Sequence, residues 1–131
     1  MKESTEVNRA KEICPTTTME KLKEGALMVD VRRLIEVQDV TYDVANYLHI
    51  PLSQLEERFS EIPKDIEVVL ACRSGERSLR ATYFLMNHGY EKVFNLEGGL
   101  LKWGNKGKPT KGNIAGLLAA ASCDCSKPDC C

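Results

Sequence analysis

Histidine, net charge and long apolar runs are all scarce in this chain, and each scarcity removes a class of function. Two histidines, His49 and His88, serve the whole sequence, so imidazole general-base chemistry has little to draw on. His88 stands just before Gly89 and reads as a surface or helix-end residue, and His49 as an ordinary strand residue. The formal net charge is −1, which leaves no global electrostatic case for nucleic acid or an anionic membrane as partner. Any anion must therefore be held by a local arrangement of positive groups. No apolar run reaches the length of a membrane span, and the most apolar stretch, 114–121, is far too short. The first residues, Met1-Lys2-Glu3-Ser4-Thr5-Glu6, lack the apolar core of a signal peptide, so the cytoplasm is the expected compartment. Cysteines spread to close loops are also missing. Cys14 and Cys72 stand alone, while Cys123, Cys125, Cys130 and Cys131 crowd the last nine residues. That distribution fits a reduced protein with one special thiol and an appended cluster, not a disulfide scaffold.

What is present has the make-up of one ordinary globular domain, with 43% hydrophobic and 28% charged residues in 131. Residues 1–9 are polar and expected to be loose. Thr17-Thr18-Met19-Glu20 has capping-box form and predicts a short helix ending at Gly25. Ala26-Leu27-Met28-Val29, closed by Asp30, predicts a strand buried on both faces. Residues 32–44 fit no clean period. Tyr47-Leu48-His49-Ile50 reads as a short strand stopped by Pro51, and 53–59 as an amphipathic helix capped by Ser53. Ile66-Glu67-Val68-Val69-Leu70-Ala71 is the clearest strand, followed by a helix over 78–88, a strand over 92–95 and a turn at Gly98-Gly99 into Trp103. Strands alternating with helices predict an α/β layer fold with a mainly parallel sheet. A shift to Gly, Lys, Pro and Asn after Trp103 places the domain at 1–105 and a C-terminal extension with the cysteine cluster at 106–131.

The chemistry concentrates in Cys72-Arg73-Ser74-Gly75-Glu76-Arg77, followed by Ser78. Cys72 closes a buried strand, and in parallel α/β sheets ligands bind at the carboxyl ends of strands. The amides that follow, through Ser74 and Gly75, are able to curl into a nest of N–H groups, and the helix behind adds its positive end. Arg73 and Arg77 add two permanent charges, whereas Glu76 points to solvent. These groups favour thiolate over thiol, which places the Cys72 thiol below its free value, and they favour an anion beside the sulfur. A thiolate needs no general base. The spacing Cys72-x4-Arg77 is one residue shorter than the Cys-x5-Arg loop of cysteine phosphatases, a tighter ring suited to sulfur and not to phosphate. A buried structural cysteine with surface arginines around it is the plainer reading of the same residues.

The pieces Val29-Asp30-Val31-Arg32, the loop Cys72 to Arg77 with Ser78, then Ala81, Leu85, Gly89-Tyr90, Val93, Leu96, Gly98-Gly99 and Trp103 resemble the rhodanese family, in that family's order, over about residues 12–104. The resemblance implies a rhodanese-like fold, a central mainly parallel five-stranded sheet with helices on both faces. It implies a sulfurtransferase in which Cys72 accepts sulfane sulfur as a persulfide held by loop amides. Arg73, Ser74, Gly75, Glu76, Arg77 and Ser78 then bind an anionic donor, thiosulfate or polysulfide. Asp30 and Arg32 match positions that support the fold near the site. No cofactor and no metal is implied. The partners expected are a small anionic donor and a thiol acceptor, with a sulfur-accepting protein among the candidates for the latter. The alternative is a sulfur-carrier or redox-sensing module that acts with a partner protein. Val44 to Pro51 departs from the family's Gly-His-Ile and Pro-Gly-Ala pattern. Its Asn46-Tyr47-Leu48-His49 is similar to a segment of a bacterial polysulfide-sulfur transferase, which implies polysulfide as donor. For the tail cysteines, soft-metal binding, sulfur relay and redox exchange all stand open; their spacing is not that of a structural zinc site. A short helix over 114–121 would pack Leu117 and Leu118, and Cys14 reads as a buried strand residue.

Overall fold

Strand β5 (Val68–Ala71) is apolar at every position because both its faces are covered. The computed structural model describes residues 9–121, and β5 lies at the centre of its sheet. To one side run β2 (Leu27–Asp30) and β4 (Tyr47–His49), to the other β6 (Val93–Leu96) and β1 (Lys11–Ile13). The order is β1-β6-β5-β2-β4 and every pairing is parallel. Side chains alternate across such strands. Val68, Leu70 and Cys72 face one core, together with α3 (Leu55–Arg58) and α4 (Glu76–Met86). Val69 and Ala71 face the other, packed with residues of α1 (Pro15–Lys23) and α5 (Gly99–Asn105). The expected five-stranded α/β architecture is the one observed. Among the described residues no helix is long and apolar enough to cross a membrane.

Local expectations needed four corrections. Helix α1 begins at Pro15, not behind a Thr17 cap: proline at the first helical position gives up an N–H that would be unbonded anyway, and its fixed φ starts the turn. Cys14 is therefore the residue before that helix, half-buried and disulfide-bonded, and not a strand residue; Cys72 is the free cysteine among the described residues. The 53–59 helix is broken into a short α3 between two 3-10 turns, and Ser53 caps nothing. Helix α4 starts at Glu76, two residues before Ser78, with Gly75 as its cap at φ +103°.

The aperiodic 32–44 stretch holds α2 (Leu34–Asp39), with no buried residue, and β3 (Val40–Tyr42). Strand β3 pairs antiparallel with β7 (Thr110–Gly112), and α6 (Ile114–Ala121) brings Ile114 and Leu117 against the α1/α5 core. The Leu118 side chain, residues 1–8 and the four tail cysteines lie outside the described residues.

Candidate active site

Cys72 follows the last residue of β5 on the α4 face, and its side chain is fully buried. The loop after it curls because two carbonyls are pinned from behind. At the start of α5, Leu100 N donates to the Cys72 carbonyl at 2.9 Å and Leu101 N to the Arg73 carbonyl at 3.1 Å. The Tyr42 hydroxyl adds a third bond, to the Cys72 carbonyl at 2.7 Å. With its carbonyls held outside, the loop turns amides inward. Gly75 N points at Cys72 Sγ from 3.0 Å and Ser78 N from 3.4 Å. This close approach requires Gly99: a Cβ there, at φ +57°, would stand 2.6 Å from backbone atoms of Cys72 and Arg73.

A third group meets the sulfur. Ser78 Oγ lies 3.3 Å from Cys72 Sγ and 2.5 Å from Asn95 Oδ1. Asn95 is buried on β6, and its Nδ2 donates to the Gly75 carbonyl at 3.2 Å. Two oriented amides at the N-terminal end of α4 converge on the sulfur, an arrangement able to hold negative charge there, and the Ser78 hydroxyl lies beside them.

The two loop arginines part company. Arg77 Nη1 and Nη2 grip the Glu36 carboxylate at 2.7 and 2.9 Å, tying α4 to α2. Those bonds hold the Glu36 carboxyl far below its usual range, at about 2, against the opposing effect of burial. Arg77 thus has its fork occupied, whereas Arg73 is half-buried and has no ion-pair partner among the described residues. Ser74 and Glu76 lie exposed on the rim and Gly75 is buried.

Behind the loop, Asp30 and Arg32 form a buried bidentate pair, with Arg32 Nη2 2.8 Å from Asp30 Oδ2. Tyr47 donates to the same oxygen at 2.6 Å. His49 is the strand residue expected, in β4, and its Nε2 lies 2.7 Å from the Arg32 carbonyl. Burial first, and the Asp30 charge second, push the Tyr42 phenol well above its ordinary value, so it stays a neutral donor to the loop. Trp103 packs edge-on against Tyr42 with ring centroids 5.3 Å apart. Three residues of this site escaped the sequence reading, Glu36, Tyr42 and Asn95, while Tyr47 entered it only through its strand and the segment Asn46-Tyr47-Leu48-His49. Asn95 carried a signal, a polar side chain inside a buried strand.

The family model described as "Rhodanese-like domain" matches residues 15–106. A protein named sulfurtransferase from Allochromatium vinosum is 42% identical over 86 residues, covering 66% of this chain and 78% of that one. The solution structure of the polysulfide-sulfur transferase homodimer from Wolinella succinogenes is similar with a TM-score of 0.71 and 27% identity, over 79% of this chain and 80% of that one. A rhodanese-related protein from Thermoplasma volcanium gives a TM-score of 0.70 at 29% identity, over 77% and 97%.

Proposed function

The chain belongs to the rhodanese-like family, and from that membership we propose that it is a sulfurtransferase that carries sulfane sulfur on Cys72. The observation that supports this most is the convergence of the Gly75 and Ser78 amides on Cys72 Sγ. The Cys72 thiolate attacks the outer sulfur of thiosulfate, the bond between that sulfur and the sulfonate breaks, and its electron pair leaves with sulfite. With polysulfide the leaving group is the chain shortened by one sulfur. The persulfide then carries the negative charge on its outer atom, beside the amides and the α4 terminus. An acceptor thiolate attacks that outer atom and takes it, releasing Cys72 as thiolate. In this reading Arg73 meets the anionic donor, which is supported by the engagement of Arg77 with Glu36.

One observation favours the sulfur-carrier reading. Cys72 is wholly buried, so a docking partner that shifts the loop would load it faster than a small molecule. Reduced protein should gain the mass of one sulfur atom on the Cys72 peptide when mixed with thiosulfate or polysulfide, and the Cys72→Ser protein should gain none there. Sulfur found on other cysteines with Cys72 unmodified would end this reading. Loading by small donors at a rate unaffected by any protein partner would remove the carrier alternative.

A further inference from the structure

The hydroxyl of Ser78 has one hydrogen and two acceptors within reach, Cys72 Sγ and Asn95 Oδ1. The geometry around Asn95 decides between them. Its Nδ2 donates to the Gly75 carbonyl, which also accepts from Leu79 N at 3.1 Å. Turning the amide over would set two oxygens against each other at Gly75, so Oδ1 is fixed toward Ser78. Both Asn95 and Ser78 are buried, so no bulk water offers Oδ1 a substitute donor.

We propose that Asn95 is a positioning residue that claims the Ser78 hydroxyl hydrogen and so turns the Ser78 oxygen, as an acceptor, toward Cys72. The proposal rests on Cys72 being the sulfur-carrying thiol. In the thiol form every bond is then made: Cys72 S–H donates to Ser78 Oγ, Ser78 O–H to Asn95 Oδ1, and Asn95 Nδ2 to Gly75. When the proton leaves, that chain loses a bond whichever way the hydroxyl turns. If it swings to the thiolate, Oδ1 is stranded. If it stays on Asn95, the thiolate keeps the two amides alone. Asn95 therefore opposes the ionisation that the loop amides promote. It also makes Cys72 a poorer leaving group when an acceptor removes the outer sulfur.

Among the described residues, the charged and titratable groups around this sulfur are Arg73 in the loop, Arg77 on α4 and Tyr42 on β3, with the Asp30–Arg32 pair at the end of β2 beyond them. All of these stay in the variants used as tests. Asn95→Leu removes the competing acceptor and leaves Gly75 its Leu79 partner. The pH midpoint of Cys72 alkylation, read by mass on the Cys72 peptide in the full chain, should fall by about one unit, about a tenfold gain in thiolate below the midpoint. Discharge of the loaded persulfide to a small thiol should quicken as well. In a Ser78→Ala background the same substitution should leave the midpoint in place, because the hydrogen in dispute is gone.

Ser78→Ala by itself gives a reading that does not depend on Asn95→Leu folding. If Asn95 holds the hydroxyl hydrogen, losing Ser78 leaves the midpoint unchanged or lower. A rise of about one unit would show that Ser78 donates to the thiolate in the native chain, and would overturn the proposal. An unchanged or raised midpoint in Asn95→Leu would overturn it too, as would an equal fall with and without Ser78. Sulfur loading on Cys72 is measured separately, so its failure would count against the sulfurtransferase reading and not against this one.

Discussion

Replacing Gly99 by alanine tests the platform that shapes the Cys72 loop. The added Cβ would stand 2.6 Å from Arg73 C, Arg73 O and Cys72 O, all backbone atoms that have no flexible end to swing aside. The residue also sits at φ +57°, a left-handed conformation that costs a β-carbon about 1–2 kcal/mol. Relief of the clash requires α5 to back away, which breaks the bonds from Leu100 N to Cys72 O and from Leu101 N to Arg73 O. Losing two such bonds adds about 1–3 kcal/mol, so the whole effect should be about 2–5 kcal/mol. Urea denaturation with an unchanged slope measures it. Gly107→Ala is the control: φ is +73°, nothing lies within 4 Å of the new Cβ, and only the conformational cost remains. Gly99→Ala should also shorten the lifetime of a Cys72 persulfide, because the amides of Gly75 and Ser78 drift off the sulfur. If Gly99→Ala and Gly107→Ala cost the same, and persulfide lifetime is unaltered, the account of how the loop is held is wrong.

Other outcomes follow from the same contacts. Arg32→Met leaves the Asp30 carboxylate buried without its cation and should cost about 3–5 kcal/mol in urea unfolding, far more than an exposed arginine would. The Glu36 carboxyl, held at about 2 by Arg77, stabilises the fold fully above its ordinary 4.5 and loses that contribution as pH falls toward 2. The stability gap between the native chain and Arg77→Gln should therefore close across that window; a gap independent of pH would mean the pair is not formed in solution. Thiosulfate loading should suffer more from Arg73→Ala than from Arg77→Gln in stopped-flow kinetics, since the Arg77 fork is occupied by Glu36. We place the end of the sulfurtransferase unit near residue 105. A chain cut after Pro109 keeps the sheet and the Trp103 bond to the Pro109 carbonyl, but loses β7 and the Ile114 and Leu117 contacts. It should fold with a lower urea midpoint and still load Cys72, and failure to fold would move the boundary outward.

The sheet was legible because β2 and β5 are apolar at consecutive positions, which is the mark of strands covered on both faces. The loop was legible because a strand, a cysteine, a glycine and a helix start occur in immediate succession. Sequence patterns failed where tertiary contacts overrode local preference. Helix α2 buries no residue, so its 3.6-residue period carried no apolar stripe to read, and Glu36 passed unnoticed with it. Strand β3 is too short to show alternation and exists through its pairing with β7, some 70 residues onward. Tyr42 reaches the Cys72 carbonyl only because that pairing puts it there. The engagement of Arg77 likewise depends on Glu36, a partner the linear sequence does not reveal. Asn95 differs from these. A lone amide in a buried strand asks what satisfies it, and the answer lay in the loop around Cys72.

The most direct measurement of the central claim follows a single sulfur atom. Thiosulfate labelled with radiosulfur on its outer atom, mixed with the reduced full-length chain, should leave about one label per chain on the Cys72 peptide and release unlabelled sulfite. Thiosulfate labelled on the sulfonate sulfur should leave no label on the protein. Adding a small thiol should then remove the label as the acceptor's persulfide. Sulfonate label retained on Cys72, or outer-sulfur label that reaches other cysteines and bypasses Cys72, would contradict a Cys72 persulfide as the intermediate.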